Sequence, residues 1–400
     1  MILYTITTYP PSIGGAQAHT HAFAQQIATR EDTRVIYQWD TNRTDWLRGT
    51  TLNAPPPAIP PPLDGIPLYR LSLSDEGRRR VRFWVHTYRL FQGTAIARIS
   101  EQFTETMQAV LAAHFPHPPR LIHNVRVGRE GLSDASWRLA QRLGVPFVLT
   151  PNHHPNWRGW LYRHWGSLYR RADALIAYSE WERKELVRLG VEPHRIHVLG
   201  IAPLLSPSAD GERFRRTMNI PPHAPLILFL GQKYAYKGLE PLLHAAHAVW
   251  EQHPAARFVF LGPRTSHSAG VFRQVSDPQI IERDSVDLQT KTDALAACDV
   301  LCVPSSRESF GGVYIEAGAL GKPVIAGDAP AVTEIVREDV SGYCVHPEPT
   351  AIAARLTLLL SNPSLGKRLG EGGREIAAAF TWEGLAERLW HIYEELFSIS

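Results

Sequence analysis

The sequence predicts an α/β protein built from two doubly wound units, and three observations carry that prediction. Short β-branched runs alternate with helical patterns from end to end, as in parallel sheets flanked by helices. The 400 residues, 44% hydrophobic and 10% aromatic, are enough for about two to three cored units and exclude disordered and fibrous classes. The periodicity breaks between Ala202 and Asp210, where Pro203, Ser206, Pro207 and Ser208 interrupt it.

Taken in order, Met1-Ile-Leu-Tyr-Thr-Ile lacks a basic start and a small-residue cleavage site, so it reads as a first strand, Ile2 to Thr7, and not as a leader. Further strands are expected at Arg34 to Gln38, Leu121 to Asn124, Phe147 to Thr150, Leu175 to Tyr178 and Ile196 to Leu199. Helical stretches at 15–29, 95–113, 133–143 and 180–189 separate them. Six prolines from Pro55 to Pro62 permit no ladder and mark an extended, proline-rich insertion at 53–62, read as a spacer. The second half repeats the alternation at Leu226 to Leu230, Phe258 to Leu261, Val300 to Val303, Val324 to Ala326 and Gly342 to Val345. The stretch from Thr381 reads as an amphipathic helix with Leu385, Leu389, Ile392 and Leu396 on one face. The expected divisions are therefore 1–204, 205–380 and 381–400.

The formal charge of +3 hides an asymmetry: residues 1–200 hold 24 basic and 16 acidic side chains, whereas 201–400 hold 18 and 23. Arg78, Arg79, Arg80 and Arg82 run into Phe83 and Trp84, and a second cluster mixes Trp157, Arg158, Trp160, Tyr162, Arg163, Trp165, Arg170 and Arg171. Arginine beside tryptophan suits an anionic partner, either a phosphate-bearing acceptor or an anionic membrane surface. The plainer reading is that the aromatics pack and the arginines reach to water. Nucleic acid is not expected, because the total charge is small and no binding module is visible. No apolar run approaches the roughly 18 to 20 residues of a spanning helix. Three cysteines in apolar surroundings, Cys298, Cys302 and Cys344, suit reduced core thiols. A cytoplasmic chain, peripheral at most on the inner membrane face, is the expectation.

Two loops of the second half carry the chemistry. After Val300-Leu-Cys-Val-Pro304, a loop holds Glu308, Ser309 and Phe310, and Gly311-Gly312 opens a helix with Glu316 about one turn in. Glycines at a helix start let backbone N–H groups approach a phosphate, where the helix dipole also favours negative charge. Carboxylates on either side of that turn accept hydrogen bonds from sugar hydroxyls; the bland alternative for Glu316 is a solvated helix carboxylate. The second loop, Gly231-Gln-Lys-Tyr-Ala-Tyr-Lys237-Gly238, places Lys237 at a helix mouth, where an ammonium can neutralise a diphosphate. Two such loops at carboxyl ends of parallel strands make a phosphate cleft a better explanation than a surface lysine.

The loop Gly231-x5-Lys237-Gly238, the pair Glu308-x7-Glu316, Gly321-Lys-Pro-Val-Ile and Ala331-x2-Glu334-Ile resemble the donor-binding domain of glycosyltransferase family 4, the retaining enzymes of GT-B fold. The resemblance extends to Tyr9-Pro-x3-Gly14-Gly15-Ala-Gln-x-His19 and Tyr178-Ser-x2-Glu182-x2-Glu185-Leu-x3-Gly190, leaving only about 40–120 without a counterpart. It implies two Rossmann-like domains facing each other across a cleft, with the nucleotide sugar on the second, the acceptor largely on the first, and the final helix returning to the first. By the same resemblance Lys237 contacts the donor diphosphate, Glu316 the ribose and Glu308 the transferred sugar, while Gly14 and Gly15 present amides to the donor phosphates.

Two positions depart from the pattern. Gln232 stands where the family places a second diphosphate cation, and Lys233 beside it is the substitute. Asn152 stands at the register of the family's histidine near the reacting centre, with His153 and His154 following in Thr150-Pro-Asn-His-His-Pro155. One of the pair is expected to serve; adjacent side chains in an extended segment point oppositely, and the sequence does not choose. No cofactor is expected beyond the nucleotide sugar as substrate. The sequence has no Asp-x-Asp pair and no HExxH site, so no metal is expected, and Gly318-Ala-Leu-Gly-Lys322-Pro323 fails the P-loop spacing. The expected activity is transfer of a hexose-like residue to a hydroxyl acceptor, such as a glycolipid or growing polysaccharide. The competing readings are a nucleotide-sugar epimerase of the same fold and a catalytically silent protein that binds a glycan or a partner.

Overall fold

A computed structural model describes residues 1–12, 14–41, 47–126, 131–153 and 159–399. The chain forms two compact units, one of Met1–Gly200 with Trp382–Ser400, the other of Ile201–Thr381.

The first unit is built on a sheet of seven strands, β1 (Ile2–Thr8), β2 (Thr33–Trp39), β3 (Leu68–Arg70), β4 (Leu121–Val125), β5 (Phe147–Thr150), β6 (Ala174–Ala177) and β7 (Ile196–Val198). They are parallel throughout and ordered β3-β2-β1-β4-β5-β6-β7. Strand order reverses between β1 and β4, and in such sheets ligands bind beyond the carboxyl ends of the strands at that point. Every residue of β1 is buried although three are threonines, and hydroxyl pairing offsets part of the cost: Thr5 meets Ser136 at 2.8 Å, and Tyr4 meets Tyr393 at 2.9 Å. Tyr393 lies on the last helix, Trp382–Ile399, and its hydroxyl also contacts His123 Nδ1 at 2.5 Å. Phe23 packs edge-on against Trp382 at 5.3 Å, so this helix belongs to the first unit's core.

The second unit repeats the plan with β8 (Leu226–Leu230), β9 (Arg257–Leu261), β10 (Ile280–Arg283), β11 (Val300–Val303), β12 (Val324–Gly327) and β13 (Gly342–Val345). The order is β10-β9-β8-β11-β12-β13, again all parallel, with the reversal between β8 and β11. These strands and the helices on both faces form one contiguous core, including Cys298 and Cys302; all three cysteines are free thiols and Cys344 is half-buried.

Strands β3 and β10 and the helix Asp75–His86 were not among the expected elements. Both strands are short and lie at sheet edges, where few apolar residues are needed. The proline tract is more ordered than a spacer: Ala58, which follows three prolines but keeps its own N–H, makes an antiparallel bridge with Arg70 of β3. Arg70 Nε also donates to the Pro56 carbonyl at 3.2 Å. Among the described residues no helix is long and apolar enough to cross a membrane.

Candidate active site

In the second unit the loops after β8 and β11 emerge side by side at the strand reversal. After β8 the backbone turns through Gly231 at φ +141° and a 3-10 turn, Ala235–Lys237, into Gly238 at φ +78°, which begins the helix Leu239–Gln252. Gly238 is required twice over: its φ is left-handed, and a Cβ there would collide with the Pro304 carbonyl of the neighbouring loop. Ser306 N donates to the Tyr236 carbonyl at 2.9 Å, stitching the loops together. Gly311 at φ +93° then turns the chain into the helix Gly312–Ala319, where Phe310 is buried against Phe380 at 5.6 Å and Ser309 is half-buried.

This arrangement brings Lys237 and Glu308 into direct contact, Nζ to Oε1 at 2.5 Å, with both side chains mostly buried. Burial pulls the Lys237 pKa down, but the Glu308 carboxylate and the Tyr236 hydroxyl outweigh it and hold the ammonium above the ordinary lysine value. Tyr234 and Tyr236 stack with ring centroids 5.4 Å apart beside the pair. Glu316 is not a solvated helix carboxylate. It is buried, and its Oε1 receives Lys291 Nζ at 2.7 Å from the helix Leu288–Ala297. Lys291 escaped the sequence reading because it belongs to no motif; only the folded register places it beside Glu316.

Lys233 is a correction. Expected beside the diphosphate as a second cation, its side chain is sealed from solvent, and the ammonium donates to the Gly262 carbonyl at 2.7 Å, to the Arg283 carbonyl and to Glu282 of β10. Burial pushes its pKa below the usual lysine value while Glu282 pulls it back. Its role here is to fasten the β8 loop to the edge of the sheet. Gln232, half-buried, remains at the loop position next to Gly231.

In the first unit Gly14 and Gly15 follow β1 at the start of the helix Gly15–Ala28, whose first hydrogen bond runs from Ala18 N to Gly14 O at 3.1 Å. A Cβ at Gly14 would strike the buried Gln17 side chain, which donates to Thr8 Oγ1 at 2.6 Å. Beyond β5, Asn152 adopts φ +46°, a left-handed conformation asparagine tolerates, and its Nδ2 donates to the Arg126 carbonyl at 3.2 Å. His153 is buried, its ring edge-on to Tyr169 at 6.0 Å and its backbone N–H donating to Glu182 Oε1 at 2.6 Å. His154 lies outside the described residues.

Two buried charges in this region were not chosen as site residues from the sequence. Arg126, just past β4, lies over the Trp165 ring at 3.7 Å and donates to the Tyr169 hydroxyl at 3.0 Å. Glu182 is fully buried and accepts from the backbone N–H groups of both His153 and Tyr178, the latter at 2.8 Å. Burial pushes its carboxyl up to about 7, against the pull of those two N–H groups.

Comparison with known proteins accords with both units. Residues 210–376 match the family described as glycosyl transferases group 1, and residues 14–202 match the glycosyl transferase 4-like domain. The chain is 30% identical over 292 residues to a D-inositol 3-phosphate glycosyltransferase of Xylanimonas cellulosilytica, covering 65% of this chain and 69% of that one. It is 35% identical to another of Streptomyces bingchenggensis over 56% of this chain and 53% of that one, so it spans only about half of that relative. Among solved structures, sucrose-phosphate synthase from Thermosynechococcus elongatus superposes with a TM-score of 0.78 at 20% identity over 100% of both chains. The Anabaena protein HepE, solved with UDP-glucose, gives 0.72 at 16% over 99% and 100%. At such identities the structures show the fold alone, which is GT-B. With both units matched in sequence and in architecture, the chain belongs to family 4 of the glycosyltransferases.

Proposed function

We propose that this protein is a retaining glycosyltransferase that moves a hexose-like residue from a nucleotide diphosphate sugar to a hydroxyl acceptor. The observation that carries the reading is the Lys237–Glu308 pair, fixed at 2.5 Å by two interlocked loops at the strand reversal of the second unit. Departure of a nucleoside diphosphate leaves an oxocarbenium-like sugar, so the site must stabilise charge on the leaving phosphate and hold the acceptor in place. Lys237 supplies a nearby cation whose proton is held firmly, and the amides at Gly311 and Gly312 add a helix start. A diphosphate taking Lys237 releases Glu308 to accept hydrogen bonds from the sugar. Glu316, kept in place by Lys291, is positioned to receive ribose hydroxyls. The reading requires no metal, since the lysine fills the cationic role.

One protein of the same fold, HepE, solved with UDP-glucose, supports a nucleotide-sugar donor, and relatives named for D-inositol 3-phosphate, together with the basic first unit, support a phosphate-bearing acceptor. The test is incubation with UDP-, GDP-, ADP- and dTDP-sugars, following nucleoside diphosphate release with and without phosphorylated polyols, and reading the product anomer by NMR. At least one donor is expected to turn over with the anomeric configuration kept. Donor binding without turnover under any pairing refutes the proposal in favour of a silent binder, and an inverted anomer refutes retention.

A further inference from the structure

We infer that the first unit docks on an anionic lipid bilayer through one face made by the helix Asp75–His86, the turn that follows it and the segment Trp160–Arg171. The inference goes beyond the transfer reaction and does not depend on it.

Eight large hydrophobic side chains stand exposed among the described residues, and four of them fall here: Phe83 at 57%, Leu90 at 73%, Phe91 at 49% and Trp160 at 51%. They form a joined surface. Phe83 meets Trp84 edge-on at 5.0 Å and Trp84 meets Phe91 at 6.5 Å. The Tyr88 hydroxyl contacts His164 Nδ1 at 3.0 Å, and Arg163 lies over the Trp160 ring at 5.0 Å. Between the two segments opens a cavity of about 320 Å³ lined in part by Gly93, Ala97, Arg163 and His164.

The helix is constructed for such a face. Gly77, Val81 and Val85, four residues apart, are buried, which turns Arg79 and Phe83 to the opposite side with Arg80 and Arg82 flanking them, all four exposed. Residues 75–98 and 159–171 together hold nine arginines against two carboxylates, Asp75 and Glu76, both in the first turn of the helix. Arg78, Arg170 and Arg171 have internal partners, respectively backbone carbonyls, the Leu189 carbonyl and Asp134, and Arg80 pairs with Glu76. That leaves Arg79, Arg82, Arg89 and Arg163 exposed on these segments, with Arg98 exposed on the next helix, Gln92–His114.

Apolar tips set within a cationic field of this kind match the two layers of an anionic membrane: side chains enter the acyl boundary while guanidinium groups meet headgroup phosphates. Nucleic acid or a polyanionic protein would satisfy the arginines and leave Leu90 and Phe91 in contact with polar surface.

The test is flotation of the full chain with vesicles of phosphatidylcholine alone and of phosphatidylcholine with phosphatidylglycerol, at low and high salt. The chain is expected to float only with the phosphatidylglycerol vesicles at low salt. Arg79→Glu/Arg82→Glu is expected to abolish the salt-dependent part, and Leu90→Ser/Phe91→Ser to reduce partitioning by about tenfold or more. Unchanged thermal unfolding and donor turnover verify that the variants remain folded. Equal flotation of the serine variant and wild type overturns the inference. Absence of flotation with phosphatidylglycerol vesicles does so too, as does competition by soluble glycerophosphate, which points to a pocket for free phosphate. A concentration-dependent dimer abolished by Leu90→Ser/Phe91→Ser also overturns it, since the face would then serve a second copy.

Discussion

Replacing Glu182 by glutamine isolates the cost of one buried charge. The carboxyl titrates at about 7 in the folded chain against an ordinary 4.5, because burial removes water and only two backbone N–H groups replace it. A carboxyl with a raised folded pKa holds its proton more tightly folded than unfolded. Its contribution to stability is therefore fully present below pH 4.5 and is lost as the pH rises toward 7. The interval corresponds to roughly 3 kcal/mol, undiminished by solvent screening because the side chain is completely buried. His123, buried and held neutral down to about pH 3, acts in the opposite sense and loses stability as the pH falls below 6.5. The difference between variant and wild type, not either curve alone, therefore reports Glu182. Glutamine keeps one acceptor but turns an NH2 toward the second N–H, which costs about 1–3 kcal/mol at every pH. Denaturant unfolding monitored by tryptophan fluorescence is expected to show Glu182→Gln less stable than wild type near pH 5 and equal or better near pH 8. Parallel curves from pH 5 to 8 would refute the assignment of a buried, raised carboxyl.

Three further substitutions probe the second unit. Lys237→Ala is expected to fold normally and to lose about a hundredfold or more in turnover, as when one charge-stabilising donor is removed; normal steady-state rates exclude its diphosphate role. Lys291→Ala leaves the Glu316 carboxylate without its cation, and the donor KM is expected to rise more than kcat falls, whereas an unchanged KM contradicts the ribose assignment. Lys233→Ala strands the Gly262 and Arg283 carbonyls and leaves Glu282 only its pair with Arg264, so calorimetry is expected to show a loss of about 1–3 kcal/mol, and a variant as stable as wild type denies the anchor.

Much of this arrangement was legible in the sequence because the parallel strands are buried on both faces and read as short apolar runs bounded by glycine and proline. The Lys237, Glu308 and Glu316 loops were legible for a related reason, since glycine at 238 and 311 is demanded by φ and by close approach and leaves a mark at fixed spacing. Edge strands left weaker traces: Ile280-Ile-Glu-Arg has two apolar residues and then two charges. The misreading of Lys233 follows from that omission, because the carboxylate that captures it, Glu282, lies on the unrecognised strand. Lys291 and Arg126 share a different obscurity. Their partners, Glu316 and Tyr169, lie 25 and 43 residues away, and a single sequence carries no sign of such pairs.

The attachment of Trp382–Ile399 to the first unit has a consequence for the order in which the chain matures. During synthesis Tyr4 and His123 emerge early, yet the hydroxyl that joins them belongs to Tyr393, 389 residues beyond Tyr4. The whole second unit is made in the interval, so the Tyr4 hydroxyl and His123 Nδ1 wait for their shared partner until the second unit has been synthesised. A ribosome-stalled chain ending before Trp382 would thus carry a completed second unit and an unfinished first one, its imidazole and phenol still lacking their third member.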